Sequence, residues 1–183
     1  MCIRDRAGDA RHPHRGIGVQ LPGHRVGCRH DFIVSQACGA ASRHDVRMDL
    51  DEAREFIRGH HRAVLAATRS DGSPQMSPVL VAVDDRGDLL LSTRETAYKV
   101  RQLRNDPRVW LCVLPDQFFG QWIQIEGTAE VVPLPEAMDG LVEYYRLVSG
   151  EHPDWDEYRA AMESERRVLL RVTPHRAGPD RSG

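Results

Sequence analysis

A chain of 183 residues, 40% hydrophobic and 28% charged, suits one soluble globular domain with its own core. The formal net charge of −2 carries no basic excess of the kind that marks a nucleic-acid binder. No run approaches the ~20 apolar residues that a membrane span requires.

Those averages conceal a seam near Met48. Residues 1 to 47 hold five of the nine His, three of the four Cys (Cys2, Cys28, Cys38), eight Arg and four Asp, with neither strand nor helix periodicity. From Met48 onward the chain carries 17 basic against 23 acidic residues and is regularly patterned. The opening Met1-Cys-Ile-Arg-Asp-Arg6 is what ATG TGT ATA AGA GAC AG plus one further base encodes, and it resembles the transposon mosaic end used in preparing sequencing libraries. Residues 1 to 47 are therefore expected to be a non-native or disordered extension, with Met48 as the native start. His12, His14, His24, Cys28, His30 and Cys38 include no C-x₂-C pair and no H-x₃₋₅-H pair set against one, so no metal is expected. No apolar h-region follows the basic start, which excludes a secretory signal and leaves a cytoplasmic location as the expectation.

Residues 48 to 60 place Leu50, Ala53, Phe56 and Ile57 at helical spacing behind an acidic first turn. His60-His61 follow as solvated junction residues. Arg62 to Arg69 reads as a strand ending in the turn Ser70-Asp71-Gly72-Ser73. Pro78 to Val83 and Asp88 to Ser92 flank a second hairpin turn. A basic helix comes next, then strands over Arg108 to Leu114 and Gln121 to Val132. In the latter, Ile123, Ile125, Gly127, Ala129 and Val131 share one face, and Gly127 marks a bulge or a close approach. Cys112 reads as a small core side chain. Helices over Pro135 to Val148 and Pro153 to Glu165 precede a sixth strand, Arg167 to Thr173, with Trp155, Tyr158 and Met162 as core residues and a polar tail over 177 to 183. Antiparallel runs with few crossovers predict a mainly β fold with α elements: a six-stranded antiparallel split β-barrel, Greek-key-like, with peripheral helices, over residues 48 to 176. No G-x-G-x-x-G or P-loop follows any strand.

Chemistry concentrates at two junctions. Ser92-Thr93-Arg94-Glu95 fits a capping box with Ser92 as N-cap, opening a helix that carries Lys99, Arg101 and Arg104. Two readings stand open there: an ordinary capped helix with a solvated basic face, or an anion site at a helix N-terminus. The second junction is Asp71-Gly-Ser-Pro-Gln-Met-Ser-Pro78, where two prolines without N–H donors argue against a central paired strand and leave backbone free to meet a planar ligand.

Together the pieces DGSPQMSPV (71–79), LLLSTRETAYKVRQLRNDPRV (89–109), IEGTAEVV (125–132) and YRLVSGEHPDWDEYRAAMESERRVLLRVTP (145–174) resemble the split β-barrel flavin and deazaflavin proteins related to pyridoxamine 5′-phosphate oxidase, and within them the branch using coenzyme F420. The resemblance covers Met48 to Pro174. It implies a homodimer with cofactor sites between subunits and a small-molecule substrate. It also implies a phosphate held near Ser92, Thr93 and Lys99, with Arg94 beside them, and a ring lying along Gln75, Ser77, Pro78 and Val79. Trp122 is the candidate aromatic that covers the ring from the partner subunit. Relatives often carry a second basic residue where this chain has Ala97. The implied activity is hydride transfer from reduced F420 to a conjugated acceptor such as an enone or a tetrapyrrole-like bridge, with no catalytic side chain named. An FMN-dependent oxidoreductase on the same barrel, or a non-enzymatic F420 or flavin carrier, are the alternatives. The C-terminal end lacks the tryptophan- and arginine-rich substrate segment of pyridoxamine phosphate oxidase itself, and His175 is assigned no catalytic role.

Overall fold

The alternation over residues 121–132 demands a partner on each side, and the sheet is built around it. The computed structural model describes residues 48–117 and 120–182, with side chains described as far as 178. The chain divides into one unit ending at Gly39 and another from Ala40 onward, and all described residues belong to the latter. The expectations for residues 1 to 47, including the absence of a zinc site there, lie outside the described residues. In chain order the elements are α1 (Leu50–Gly59), β1 (Arg62–Thr68), β2 (Pro74–Leu80), β3 (Ala82–Val83), β4 (Leu89–Arg94), α2 (Tyr98–Asn105), β5 (Arg108–Leu114), β6 (Gln121–Val132), α3 (Met138–Ser149), α4 (Trp155–Ser164) and β7 (Arg167–Ser182).

The strands form one antiparallel seven-stranded sheet in the order β2-β1-β5-β6-β7-β4-β3. Its two outermost strands, β2 and β3, are halves of one segment separated by Val81 alone. Val81 donates its N–H to His61 O (2.8 Å), while its own carbonyl meets His61 Nδ1 at 2.9 Å. A sheet whose edges are joined through one residue has to curl round on itself, which makes the split barrel expected from the sequence. His61 is thus a structural clasp rather than a solvated junction residue.

Two expectations are corrected here. The run Pro78 to Val83 is not one strand: Pro74–Leu80 pairs with β1 and Ala82–Val83 with β4, giving seven strands instead of six. The last strand continues past Thr173 to Ser182 because β6 offers an unpaired edge along its whole length, from Val132 opposite Leu169 to Gln121 opposite Ser182.

Alternation then sorts the side chains. Leu65, Leu89, Leu91, Leu111, Ile123, Ile125 and Leu170 fill the barrel, joined by Ala53 and Ile57 of α1 and Val100 and Leu103 of α2. Each fully buried Leu or Ile contributes about 1.5–3 kcal/mol. On the outer side, Leu90 and Leu169 pack against Leu141, Val142, Tyr158 and Met162, which docks α3 and α4 on the β4–β7 region. The outer side of β2, β1 and β5 is different. There Met76, Pro78 and Leu80 align with Ala66, Val64 and Arg62, and these with Trp110, Cys112 and Leu114. Met76 is 69% and Leu80 44% exposed. Cys112 belongs to this outer row and not to the core, since Val109, Leu111 and Val113 take the inward positions of β5. Burial pushes its thiol pKa up. No helix among the described residues is long and apolar enough to cross a membrane.

At Gly127 the β6–β7 register shifts, and a Cβ there would lie 2.7 Å from Thr173 O and 2.8 Å from Val172 Cγ1. The sequence-based expectation of a close approach is met by backbone, which cannot move aside cheaply. Gly127→Ala is expected to destabilise the fold by about 1–3 kcal/mol, as overpacking does. Urea denaturation checks this, and an unchanged midpoint would contradict the packing.

Candidate functional site

The β4–α2 connection departs from the capping box. Ser92, Thr93 and Arg94 are strand residues paired with Leu169, Val168 and Arg167 of β7, and helix α2 opens only at Tyr98. Its N-cap is Ala97, with no side-chain cap. Glu95 is drawn off by Arg166 and by Arg104 (3.5 Å). The ladder with β7 carries β4 past the end of its apolar run, and the box gives way to it. An uncapped helix start leaves N–H groups of its first turn open to an anion.

A cleft of about 830 Å³ lies beside this connection. Pro78, Val79 and Leu80 of β2, Arg62, Ala63 and Val64 of β1, and Leu114 of β5 form one wall. Tyr144, Tyr145, Val148 and Ser149 of α3 with Tyr158 and Met162 of α4 form the facing wall. Ser92, Thr93, Lys99 and Arg167 complete it. Ser92 and Thr93 face opposite ways, as neighbours on a strand must. Thr93, 7% exposed, shares the inward side of Leu89 and Leu91, while Ser92 shares the side of Leu90 toward α3 and α4.

Three cations line the cleft, and their circumstances differ. Arg62 pairs with Asp116 (3.3 Å) and Arg167 with Glu165 (2.8 Å). Lys99 has no acidic partner among the described residues, and burial lowers its pKa from the ordinary lysine value. A half-buried, uncompensated ammonium is costly unless an anion arrives. The three tyrosines differ too. Tyr158 donates to Leu141 O (2.9 Å), and burial pushes its pKa up to about 12. The Tyr145 ring is stacked edge-on with Trp155 and Tyr158. Tyr144 makes one long contact, to Leu80 O at 3.5 Å, and burial raises its pKa, so its hydroxyl is a loosely held donor.

Of the residues expected to hold a cofactor, Pro78, Val79, Ser92, Thr93 and Lys99 come together in this cleft. Arg94 does not line it, being an exposed residue paired with Glu165 at 3.5 Å. Gln75 is on the far side of α2, where its Oε1 accepts from Gln102 Nε2 at 2.6 Å. Ser77 faces inward with a buried, unpartnered Oγ, because the alternation of β2 turns 75, 77 and 79 toward the barrel. Trp122 is half-buried on β6 and does not line the cleft. His175 sits within β7 and its Nε2 meets Thr128 Oγ1 at 2.7 Å. Sequence reasoning missed Arg62, Arg167 and the α3–α4 tyrosines. Arg167 reaches the cleft only because it pairs with Arg94, and Tyr158 and Met162, expected as core, serve both core and cleft.

The pyridoxamine 5′-phosphate oxidase family model matches residues 50–178, and the chain belongs to that family. A conserved hypothetical protein from Mycobacterium tuberculosis is 27% identical, with a TM-score of 0.60 over 75% of this chain and 88% of that one. An F420 reductase is 22% identical, with a TM-score of 0.53 over 68% of this chain and 94% of that one. The heme storage protein HutZ from Vibrio cholerae is 19% identical, with a TM-score of 0.56 over 74% of this chain and 98% of that one. The last two likenesses speak to the fold.

The Lys99 ammonium is cationic below its pKa, and that pKa lies below the ordinary lysine value. Affinity for a phosphate-bearing ligand in the cleft is therefore expected to fall, as pH rises, before a solvated lysine would titrate. Lys99→Arg is expected to hold the affinity at high pH, because a guanidinium stays charged. Binding titrations across pH check this, and superimposable profiles for the two proteins would contradict it.

Proposed function

We infer that the protein is an F420-dependent oxidoreductase that reduces a conjugated small-molecule acceptor. The observation carrying this reading is the uncompensated Lys99 lining a cleft with largely apolar walls. F420 carries its phosphate as a diester with one negative charge, which one free ammonium answers. FMN carries a monoester with up to two, and here Arg62 and Arg167 are already engaged by acids while Ala97 adds no charge.

The residues fit such a group. Lys99, Ser92 and Thr93 would hold the phosphate, and Pro78, Val79 and Leu80 would support the ring. The reduced deazaflavin supplies the hydride when bound. Tyr144, with its hydroxyl held only loosely, is the donor available to hydrogen-bond the acceptor's carbonyl, and the apolar side chains of both walls keep water from the reacting face. A homodimer is part of the reading. Arg62, Val64, Pro78, Leu80 and Leu114 belong both to the cleft and to the uncovered outer rows of β2, β1 and β5. A second copy on that face would close the cleft, and Trp122, one residue from the Val113–Ile123 pair, would stand at its margin.

Titration of protein beginning at Met48 with F420, FMN and hemin tests the choice of cofactor. Saturable F420 binding tighter than FMN binding is expected, with consumption of reduced F420 on an enone panel. FMN preference, or hemin binding without F420 binding, would replace the reading, and F420 binding without turnover on any acceptor would leave a carrier. Lys99→Ala is expected to weaken F420 about tenfold or more, the loss of one charge-assisted hydrogen bond. Unchanged affinity would remove Lys99 from the site.

A further inference from the structure

Helix α2 presents Lys99 to the first cleft and Val100 and Leu103 to the core, while Tyr98, Arg101, Gln102 and Asn105 border a second cleft of about 460 Å³. The ends of the β1–β2 hairpin, with Arg69 and Gln75, make its other side. We propose that this second cleft is a binding site for a small planar anion, an aromatic or heteroaromatic ring bearing a phosphate or carboxylate.

Four observations converge on that chemistry. Arg101 makes no ion pair or hydrogen bond with the described residues, while Arg69 meets the Ser73 hydroxyl at 3.3 Å and interacts electrostatically with Asp71. The Arg101 guanidinium is therefore free to take an anion in bidentate fashion, with Arg69 at the same cleft as a second positive charge. The single acid at the cleft, Asp106, is held by Arg108 at 2.7 Å, and this pairing keeps its pKa down to about 2. Its charge is answered within the protein. Tyr98 is 71% exposed, an aromatic face on which none of the described residues is stacked. Finally, the Gln75–Gln102 amide pair makes one hydrogen bond and leaves Gln102 Oε1 buried with no donor. An orphaned buried carbonyl is destabilising, and a small reorientation of the amide pair toward a ring N–H or O–H would satisfy it. The site shares no lining residue with the first cleft, so it stands whether or not that cleft takes F420.

Calorimetric titration of the full chain with adenosine monophosphate, salicylate and inorganic phosphate tests the proposal. Saturable binding of a ring-bearing anion, tighter than inorganic phosphate, is expected. The stronger of the two ring-bearing probes identifies whether phosphate or carboxylate is preferred. Arg101→Ala and Tyr98→Ala, at exposed positions, are each expected to weaken it about tenfold or more. Gln102→Met, which removes the amide carbonyl that the ligand would satisfy, should weaken binding. Lys99→Ala should leave this affinity unchanged. No saturable binding of either ring-bearing probe, binding of inorganic phosphate as tight as theirs, an unchanged affinity in Arg101→Ala, or loss of binding in Lys99→Ala would each overturn the assignment.

Discussion

The pairing of Val81 with His61 is the constraint on which the rest of the structure depends. It falls at the one residue where the chain leaves β1 and joins β4, so it turns a flat order of strands into a closed surface. Closure gives Leu65, Leu111, Ile125 and Leu170 a common interior. It also brings the end of β2 near the end of β4, two segments that the sheet order sets at opposite sides. The cleft exists because of that approach. Opened flat, the same pairings would leave Pro78 and Thr93 far apart.

A second layer of constraint is ionic. Glu165 binds Arg94 and Arg167, and Glu95 binds Arg104 and Arg166, tying the α4–β7 turn to the β4–α2 connection. Arg166 adopts a positive φ of 51° in that turn, and its carbonyl accepts from Glu95 N at 2.9 Å. These exposed pairs each contribute little to stability. Their effect is positional: they tie the start of β7 to the end of β4, and Glu165 engages Arg167, which lines the cleft. Lys99 remains as the unpaired charge lining it because its neighbours have been used.

Helix α2 divides the surface chemistry. Eight residues separate a cleft with one free lysine from a cleft with two arginines and an unsatisfied amide. The helix can serve both sides because Val100 and Leu103 anchor it in the barrel, leaving the flanking positions for polar roles. Movement of the helix would change both clefts together.

Much of this was legible in the chain itself. The alternation of β6, the close approach at Gly127, the turns at Ser70–Ser73 and Asp84–Gly87, and the family pattern all rest on local spacing, which the backbone enforces residue by residue. Those features were sufficient for the fold class and for the cofactor candidates Pro78, Val79, Ser92, Thr93 and Lys99 that share the cleft. The break at Val81, the displacement of the capping box by β4–β7 pairing, the removal of Gln75 to the far side of α2 and the capture of Arg94 by Glu165 were decided only by tertiary structure. Each depends on which distant segment supplies a hydrogen bond or a countercharge. Spacing along the chain determines which way a side chain points; the partner it meets there is determined by how the sheet closes.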